Sequence, residues 1–390
     1  MDYTWPPELA RFRDDVRAFV RKHRSPELLA EIEEMDRSPG LGPRVRAVVE
    51  ELERRGWLRI SWPEELGGAG QSIWYQFILT MELRYGGLPY QRDNTAAMVG
   101  PAIQRFGTEE QRKELLPQIY SGEITCALGY SEPDAGTDLA SLKLRATRDG
   151  DDYVIRGQKI WTSGAHRCTH VWLAARTDPE APKHRGISMF LLPLDTPGIT
   201  IQPIYVLTGH RTNEVFYDDV RVPASMRIGE ENRGWYIMTN ALDHERVTVG
   251  TTTYVDLVLL FEGLIAHLRE HAPAKLADPT IRHRLAQLKL DLHALRALLF
   301  ATAAKVDAGE TPTKEASMVK AWGTELRTRL SSIGMDILGR AGAIEKASGD
   351  APLDGELEHS YRFSPISRFT AGANEVQRNI IAQRGLGLPR

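Results

Sequence analysis

At 390 residues, 42% of them hydrophobic and 26% charged, the chain has the makeup of an ordinary folded protein with ample core, and its length suggests two or three domains. Lys and Arg number 49 against 52 Asp and Glu, a formal net charge of −3, which excludes the basic footprint of a nucleic-acid binder or of a protein drawn to an anionic membrane. Two cysteines, Cys126 and Cys168, cannot form a disulfide framework and lack partners at metal-ligand spacing, so both read as small buried hydrophobes and no metal site is expected. The start, Met1 to Pro7, has no charged-then-apolar signal segment, and no uninterrupted apolar run of bilayer length is evident, so a cytoplasmic protein is expected.

Residues from about Pro7 to Gly122 carry helical periodicity broken by caps and turns. Pro6 and Pro7 open a helix at its first turn, and the charges of either sign from Arg11 to Arg24 describe a solvated helix face. Gly67-Gly68-Ala69-Gly70 is a loop. From Ile124 the period changes. Tyr153-Val154-Ile155, Val171 to Ala175, Ile187 to Leu192 and Val215 to Val220 are short, β-rich runs separated by Gly, Pro and Asp, and Asp149-Gly150-Asp151-Asp152 is a hairpin turn. An antiparallel sheet or small barrel follows. After Gly234 helical patterns return, ending with Glu375 to Arg384. The expected organisation is α+β in three parts: a helical domain at 1–123, a β domain at 124–234 and a helical domain at 235–390, without internal repeats.

Two stretches carry the chemistry. Tyr130-Ser131-Glu132-Pro133-Asp134-Ala135-Gly136-Thr137-Asp138 is a turn whose hydroxyls and backbone amides suit the polar edge of a planar cofactor, and in Gly157-Gln158-Lys159-Ile160-Trp161-Thr162-Ser163-Gly164 the Trp161 ring suits its face. Two ordinary loops joined by a hairpin satisfy the same residues. Further on, Met238, Leu242, Glu245 and Val249 share one helix face by their 4-3-4 spacing. A carboxylate in an apolar stripe is costly unless it is used or paired; it is either a general base with a raised pKa or the partner of a cation such as Arg246.

Both loops, in this order and spacing, resemble the signature of the acyl-CoA dehydrogenases: Thr/Ser-Glu-Pro-x-Ala-Gly-Ser/Thr-Asp followed by Gly-x-Lys-x-Trp/Phe-x-Thr/Ser. The likeness extends through Trp62 to Gly68, Phe106 to Gln111, Val220 to Pro223, Leu242 to Arg246 and Asn374 to Arg378. It implies an N-terminal helical bundle, a middle antiparallel β-barrel or sheet domain and a C-terminal four-helix bundle. The activity implied is FAD-dependent α,β-dehydrogenation of an acyl-CoA thioester, with an electron-transfer flavoprotein as acceptor and a homo- or hetero-oligomer, dimer or tetramer, as the assembly. Nucleic acid and membrane are not implied as partners. Carried over by position, Leu128, Gly129, Tyr130, Ser131, Gly136 and Thr137 would hold FAD from the first loop, and Trp161, Thr162 and Ser163 from the second. Thr137 would lie between flavin and substrate. Asp243 and Arg246 would bind the pantetheine and nucleotide side of CoA, although three apart on a helix they also suit a surface ion pair.

The sequence departs from the family where the base usually stands. In Phe369-Thr370-Ala371-Gly372-Ala373-Asn374, Ala371 replaces the glutamate, and Ala371, Gly372 and Ala373 would widen the pocket for a bulky or branched acyl group. Some branched-chain and long-chain members carry their base on the middle helix in the same Asp-x-Glu-Arg context, which makes Glu245 the expected base; Glu375, a turn beyond Ala371, is the rival. The family's Arg-x-x-Phe-Gly, which reaches a neighbouring subunit's FAD, is replaced by His271-Ala272-Pro273-Ala274-Lys275, and Gln-x-x-Gly-Gly by Asp336 to Arg340, so a paralogous subunit would have to supply the cationic clamp. This combination resembles subunits of heteromeric actinobacterial acyl-CoA dehydrogenases that act on steroid side chains. A flavin-dependent monooxygenase of the same fold and a non-catalytic partner subunit are the competing readings; the Glu245 context disfavours the first and the retained loops the second.

Overall fold

A computed structural model describes residues 5–34, 41–88 and 95–389, with the side chains of all of these except 66, 96, 97, 240–249 and 347. The helices are α1 (Pro7–His23), α2 (Pro26–Glu34), α3 (Pro43–Arg54), α4 (Ile73–Tyr85), α5 (Gly100–Phe106) and α6 (Glu109–Tyr120), then α7 (Gly234–His271), α8 (Pro273–Ala277), α9 (Pro279–Asp307), α10 (Thr313–Leu338), α11 (Glu356–Phe369) and α12 (Asn374–Ile380). Between the two groups lie β1 (Cys126–Gly129), β2 (Arg145–Asp149), β3 (Asp152–Lys159), β4 (His170–Arg176), β5 (Ile187–Pro193), β6 (Ile199–Tyr205), β7 (Arg211–Pro223) and β8 (Arg227–Ile228). By contacts the chain divides into two units: Ala18–Gln71 with Gly87–Glu245, and Met1–Arg17 with Ser72–Gly86 and Arg246–Arg390.

The first unit is built around the sheet, ordered β6-β7-β3-β2-β4-β5-β8 with β1 beside β4. Most pairings are antiparallel, while β1 and β2 each run parallel to β4. In β4 and β5 successive residues alternate between two cores: Val171, Leu173, Phe190 and Leu192 join one, and Trp172, Ala174, Met189 and Leu191 the other. Burial on both faces explains why these strands are continuously apolar. On one face the cover comes from α5, α6 and the start of α7, through Ile103, Leu116, Ile119, Ile237 and Met238. Helix α6 is seated by a capping box, in which Thr108 and Gln111 satisfy each other's backbone N–H. The Gln111 amide then donates to the Ser225 and Arg227 carbonyls at the start of β8, 2.7 and 2.9 Å away. The loop at 67–70 folds tightly over Trp62: a Cβ at Gly68 would stand 2.1 Å from the Trp62 carbonyl oxygen.

The second unit is a helical bundle. On α9, Leu285, Leu288, Leu292, Leu295 and Leu299 repeat at three and four residues, forming one stripe. It meets Leu257, Leu260, Phe261, Leu264 and Leu268 of α7, Val319, Leu326, Leu330 and Ile337 of α10, and Leu357 of α11. Helix α4, far from these in sequence, belongs to the same core. Its Phe77 lies 5.3 Å from Phe300 between ring centroids, with Trp5 and Trp74 completing the cluster. Gly250–His271 is long and apolar enough by composition to cross a bilayer, with a mean hydropathy of 1.2 over its best window, although Asp256 and Glu262 interrupt the apolar run. Its leucines fill the bundle core, which accounts for that composition without a membrane.

Candidate functional site

Strand β1 delivers the first loop. Gly129 passes so close to β4 that a Cβ there would sit 2.9 Å from both Leu173 Cδ1 and Val171 Cγ2, which is why the position before Tyr130 is glycine. The chain then turns tightly, with the Glu132 and Ala135 backbones exchanging N–H to O bonds of 2.9 and 3.1 Å. Leu128, Tyr130 and Ser131 are half-buried, whereas Gly136 and Thr137 are exposed and a Cβ on Gly136 would meet nothing within 4 Å.

The second loop follows β3. Trp161 adopts a left-handed backbone (φ 59°) and its ring is 55% exposed, an unusual state for tryptophan on both counts. Pairing fixes it there: Thr162 N–H donates to the Asn213 carbonyl and the Asn213 amide to the Thr162 carbonyl, both at 2.9 Å, and the Ser163 hydroxyl donates to Thr212 Oγ1 at 3.0 Å. Thr162 Oγ1 is enclosed without a hydrogen-bond partner among the described atoms. An exposed ring, open backbone at Gly136 and exposed hydroxyls at Thr137 and Ser163 fit a planar, polar-edged cofactor such as a flavin.

The two loops are joined from beneath. Lys159, wholly buried, donates through Nζ to Glu132 Oε1 at 2.8 Å and to the Tyr130 carbonyl at 3.0 Å. Glu132 also accepts the backbone N–H groups of Lys143 and Leu144 at 2.6 and 2.9 Å. Ile160 N–H donates to the Ser131 carbonyl at 2.9 Å. Burial pushes the Lys159 ammonium down to about 8, with Glu132 pulling the other way. A third buried charge, Arg176 at the end of β4, donates to the carbonyls of Ala140 (2.7 Å) and Leu142 (3.2 Å) on one side and of Lys183 (3.2 Å) and Arg185 (2.7 Å) on the other. The same 183–185 turn is held at the surface by Lys183, whose Nζ lies 2.9 Å from both oxygens of Asp138. Beside it opens a cleft of about 660 Å³ lined by Asp178, His184, Arg185, Arg233, Trp235 and Tyr236 among others, in which the His184 and Trp235 rings meet edge to face at 5.0 Å.

In the other unit, the segment expected to hold the family base is a strained turn. Ala371 (φ 51°) and Gly372 (φ 84°) are both left-handed and exposed. The Gln377 amide donates to the Gly372 carbonyl at 3.3 Å, and Lys320 Nζ donates to the Arg368 carbonyl and Asn374 Oδ1 at 3.0 and 2.8 Å. Glu375 is exposed in the first turn of α12. Where an arginine clamp was sought, Lys275 instead donates to the Ile337 carbonyl at 2.5 Å, at the end of α10. The backbone from Asp243 to Arg246 is helical within α7, and the side chains of Asp243, Glu245 and Arg246 lie outside the described residues. Sequence reasoning missed the Arg176 fork and the cleft. A lone arginine closing the apolar run at 171–175 of β4 was the available signal for the fork.

Family models for the acyl-CoA dehydrogenase N-terminal, middle and C-terminal domains match residues 6–123, 127–220 and 232–386, and the chain belongs to the acyl-CoA dehydrogenase family. It is therefore an oxidoreductase acting on CH–CH groups, with the family's three-domain fold, and the family's members are FAD-dependent flavoproteins. Among its relatives is acyl-CoA dehydrogenase FadE26 of Mycobacterium tuberculosis, 38% identical over 405 residues that cover 100% of this chain and 99% of the relative. Among solved structures, one described as the Tcur3481-Tcur3483 steroid ACAD is 40% identical with a TM-score of 0.89, and the ChsE4-ChsE5 complex from Mycobacterium tuberculosis is 36% identical with a TM-score of 0.87; in each case both chains are covered in full.

Proposed function

We propose that this chain desaturates a bulky or branched acyl-CoA thioester between Cα and Cβ, with Glu245 as the base. The observation that carries the reading is the pair of joined loops that presents Trp161, with open backbone at Gly136 and exposed hydroxyls at Thr137 and Ser163. FAD, when bound there, supplies the hydride acceptor. Leu128, Gly129, Tyr130, Ser131, Gly136 and Thr137 would hold it on one side, and Trp161, Thr162 and Ser163 on the other; Thr162, buried and bonded through its backbone to Asn213, would act by fixing its two neighbours in place. Glu245 takes the α proton, the role that Ala371 cannot fill, and Thr137 stands between cofactor and substrate. Asp243 and Arg246 bind the CoA side of the thioester. The cleft with Arg185, Arg233, His184 and Trp235 suits its anionic, aromatic nucleotide end.

A polycyclic acyl group is favoured by the small residues Ala371, Gly372 and Ala373 and by the likeness to the steroid ACAD. The departures at His271–Lys275 and Asp336–Arg340, together with the likeness to the two-component ChsE4-ChsE5 complex, favour a hetero-oligomer in which a paralogous subunit completes the cofactor site. An electron-transfer flavoprotein is the acceptor in this reading. Anaerobic titration of the purified flavoprotein with linear, branched and sterol-derived CoA thioesters tests it. Bleaching of the flavin absorbance by a bulky ester, well before a linear one, is expected; no bleaching by any thioester would remove the dehydrogenase reading for this chain.

A further inference from the structure

The inference rests on the flavin reading above. We propose that Glu132 and Lys159 are positioning residues for the FAD cradle: their buried pair holds the loop from Tyr130 to Leu144 against the turn that presents Trp161. Lys159 stands two residues before Trp161, and its ammonium reaches across to the Tyr130 carbonyl and to Glu132. Glu132 in turn gathers the far end of the same loop through Lys143 and Leu144 N–H. Four directed bonds thus fix both ends of one cradle loop to the base of the other, with Ile160 N–H on the Ser131 carbonyl as a fifth. Arg176, a second buried cation within the electrostatic reach of Glu132, continues the tie to Ala140 and Leu142.

Stability does not explain why charges are used here. Taking an ammonium and a carboxylate out of water costs about what their attraction returns, and a buried pair exchanged for apolar side chains of similar volume often leaves stability unchanged or raised. Directed hydrogen bonds to carbonyls and N–H groups set distances that apolar packing does not, and the loops they join are the ones that face the cofactor. The pair therefore acts through the backbone it arranges.

Glu132→Met/Lys159→Met in the full-length protein separates the two roles. Flavin is removed from wild type and variant, apoprotein melting is recorded, and FAD is titrated back by quenching of its fluorescence. The expected result is a melting temperature within a few degrees of wild type and an FAD dissociation constant raised at least about tenfold, with an altered flavin spectrum at saturation. An unchanged dissociation constant overturns the proposal. If the double variant does not fold, Glu132→Gln, which keeps the shape and loses the charge, replaces it; a severalfold weaker FAD affinity at near-wild-type melting supports the proposal and equal affinity overturns it. A wild-type chain that takes up no FAD either alone or assembled with its paralogous subunit removes the flavin reading itself, and this assignment with it.

Discussion

Glu51 gathers two cations, Lys22 and Arg55, with the His23 ring beside them, and the arrangement has a consequence for acid stability. Its carboxylate accepts Lys22 Nζ at 2.9 Å and Arg55 Nη2 at 2.7 Å, with His23 Nε2 2.9 Å away, and its residue is only 8% exposed. Arg55 also lies over the Phe19 and Trp57 rings, so the charges sit on an aromatic floor. Hydrogen bonds from Lys22 and then Arg55 hold the Glu51 carboxyl down at about 2, against an ordinary 4.5. The folded value lies below the unfolded one, so this contribution is complete above pH 4.5 and is lost as pH falls from 4.5 towards 2. Glu51→Gln should flatten stability across that window while lowering it at neutral pH, as read from urea midpoints at a series of pH values. Equal slopes for the two proteins would show that the carboxylate titrates as it would in the unfolded chain.

At the scale of elements, sequence patterning found what periodicity writes down. The runs of β4 and β5 were legible because they are apolar almost without a break, those of β3 and β7 because Tyr153-Val154-Ile155 and Val215-Phe216-Tyr217 are short β-rich stretches, and the β2–β3 hairpin because Asp149-Gly150-Asp151-Asp152 can do little else. Strand β1 has four residues and pairs in parallel with β4, 44 positions on at Cys126 and His170, so no local signal announces it. Strands β2 and β6 carry Arg, Thr, Gln and Pro on exposed positions and lack the expected composition. The joining of α4 to the C-terminal helices depends on Phe77 finding Phe300, which sequence spacing cannot encode. Arg176 belongs to this scale, because one guanidinium links the loop at Ala140 and Leu142 to the turn at 183–185. Arg176→Lys keeps the charge and loses the fork, so it should raise KM for a CoA ester about threefold to tenfold while kcat changes less than twofold. Steady-state kinetics check this, and a fall in kcat at constant KM would place Arg176 elsewhere in the cycle.

Across the whole molecule, the residues singled out by motif divide between the two units. The loops at 128–137 and 161–163 and the backbone of Glu245 belong to the sheet-centred unit, and Ala371 with its Lys320, Asn374 and Gln377 supports belongs to the helical bundle. Motif spacing made the loops legible and the absent glutamate conspicuous. The burial that fixes Lys159 and Glu132 was not legible, because their pairing is decided by the closure of the sheet. Ala371 and Gly372 form an exposed, left-handed turn that carries no carboxylate at Ala371. The base proposed above, Glu245, lies on α7, and the most direct test is Glu245→Gln with a substrate that bleaches the wild-type flavin. The variant should retain bound FAD and lose flavin reduction by at least about a thousandfold, in keeping with removal of a general base; retained FAD with an unchanged reduction rate would remove Glu245 from the reaction.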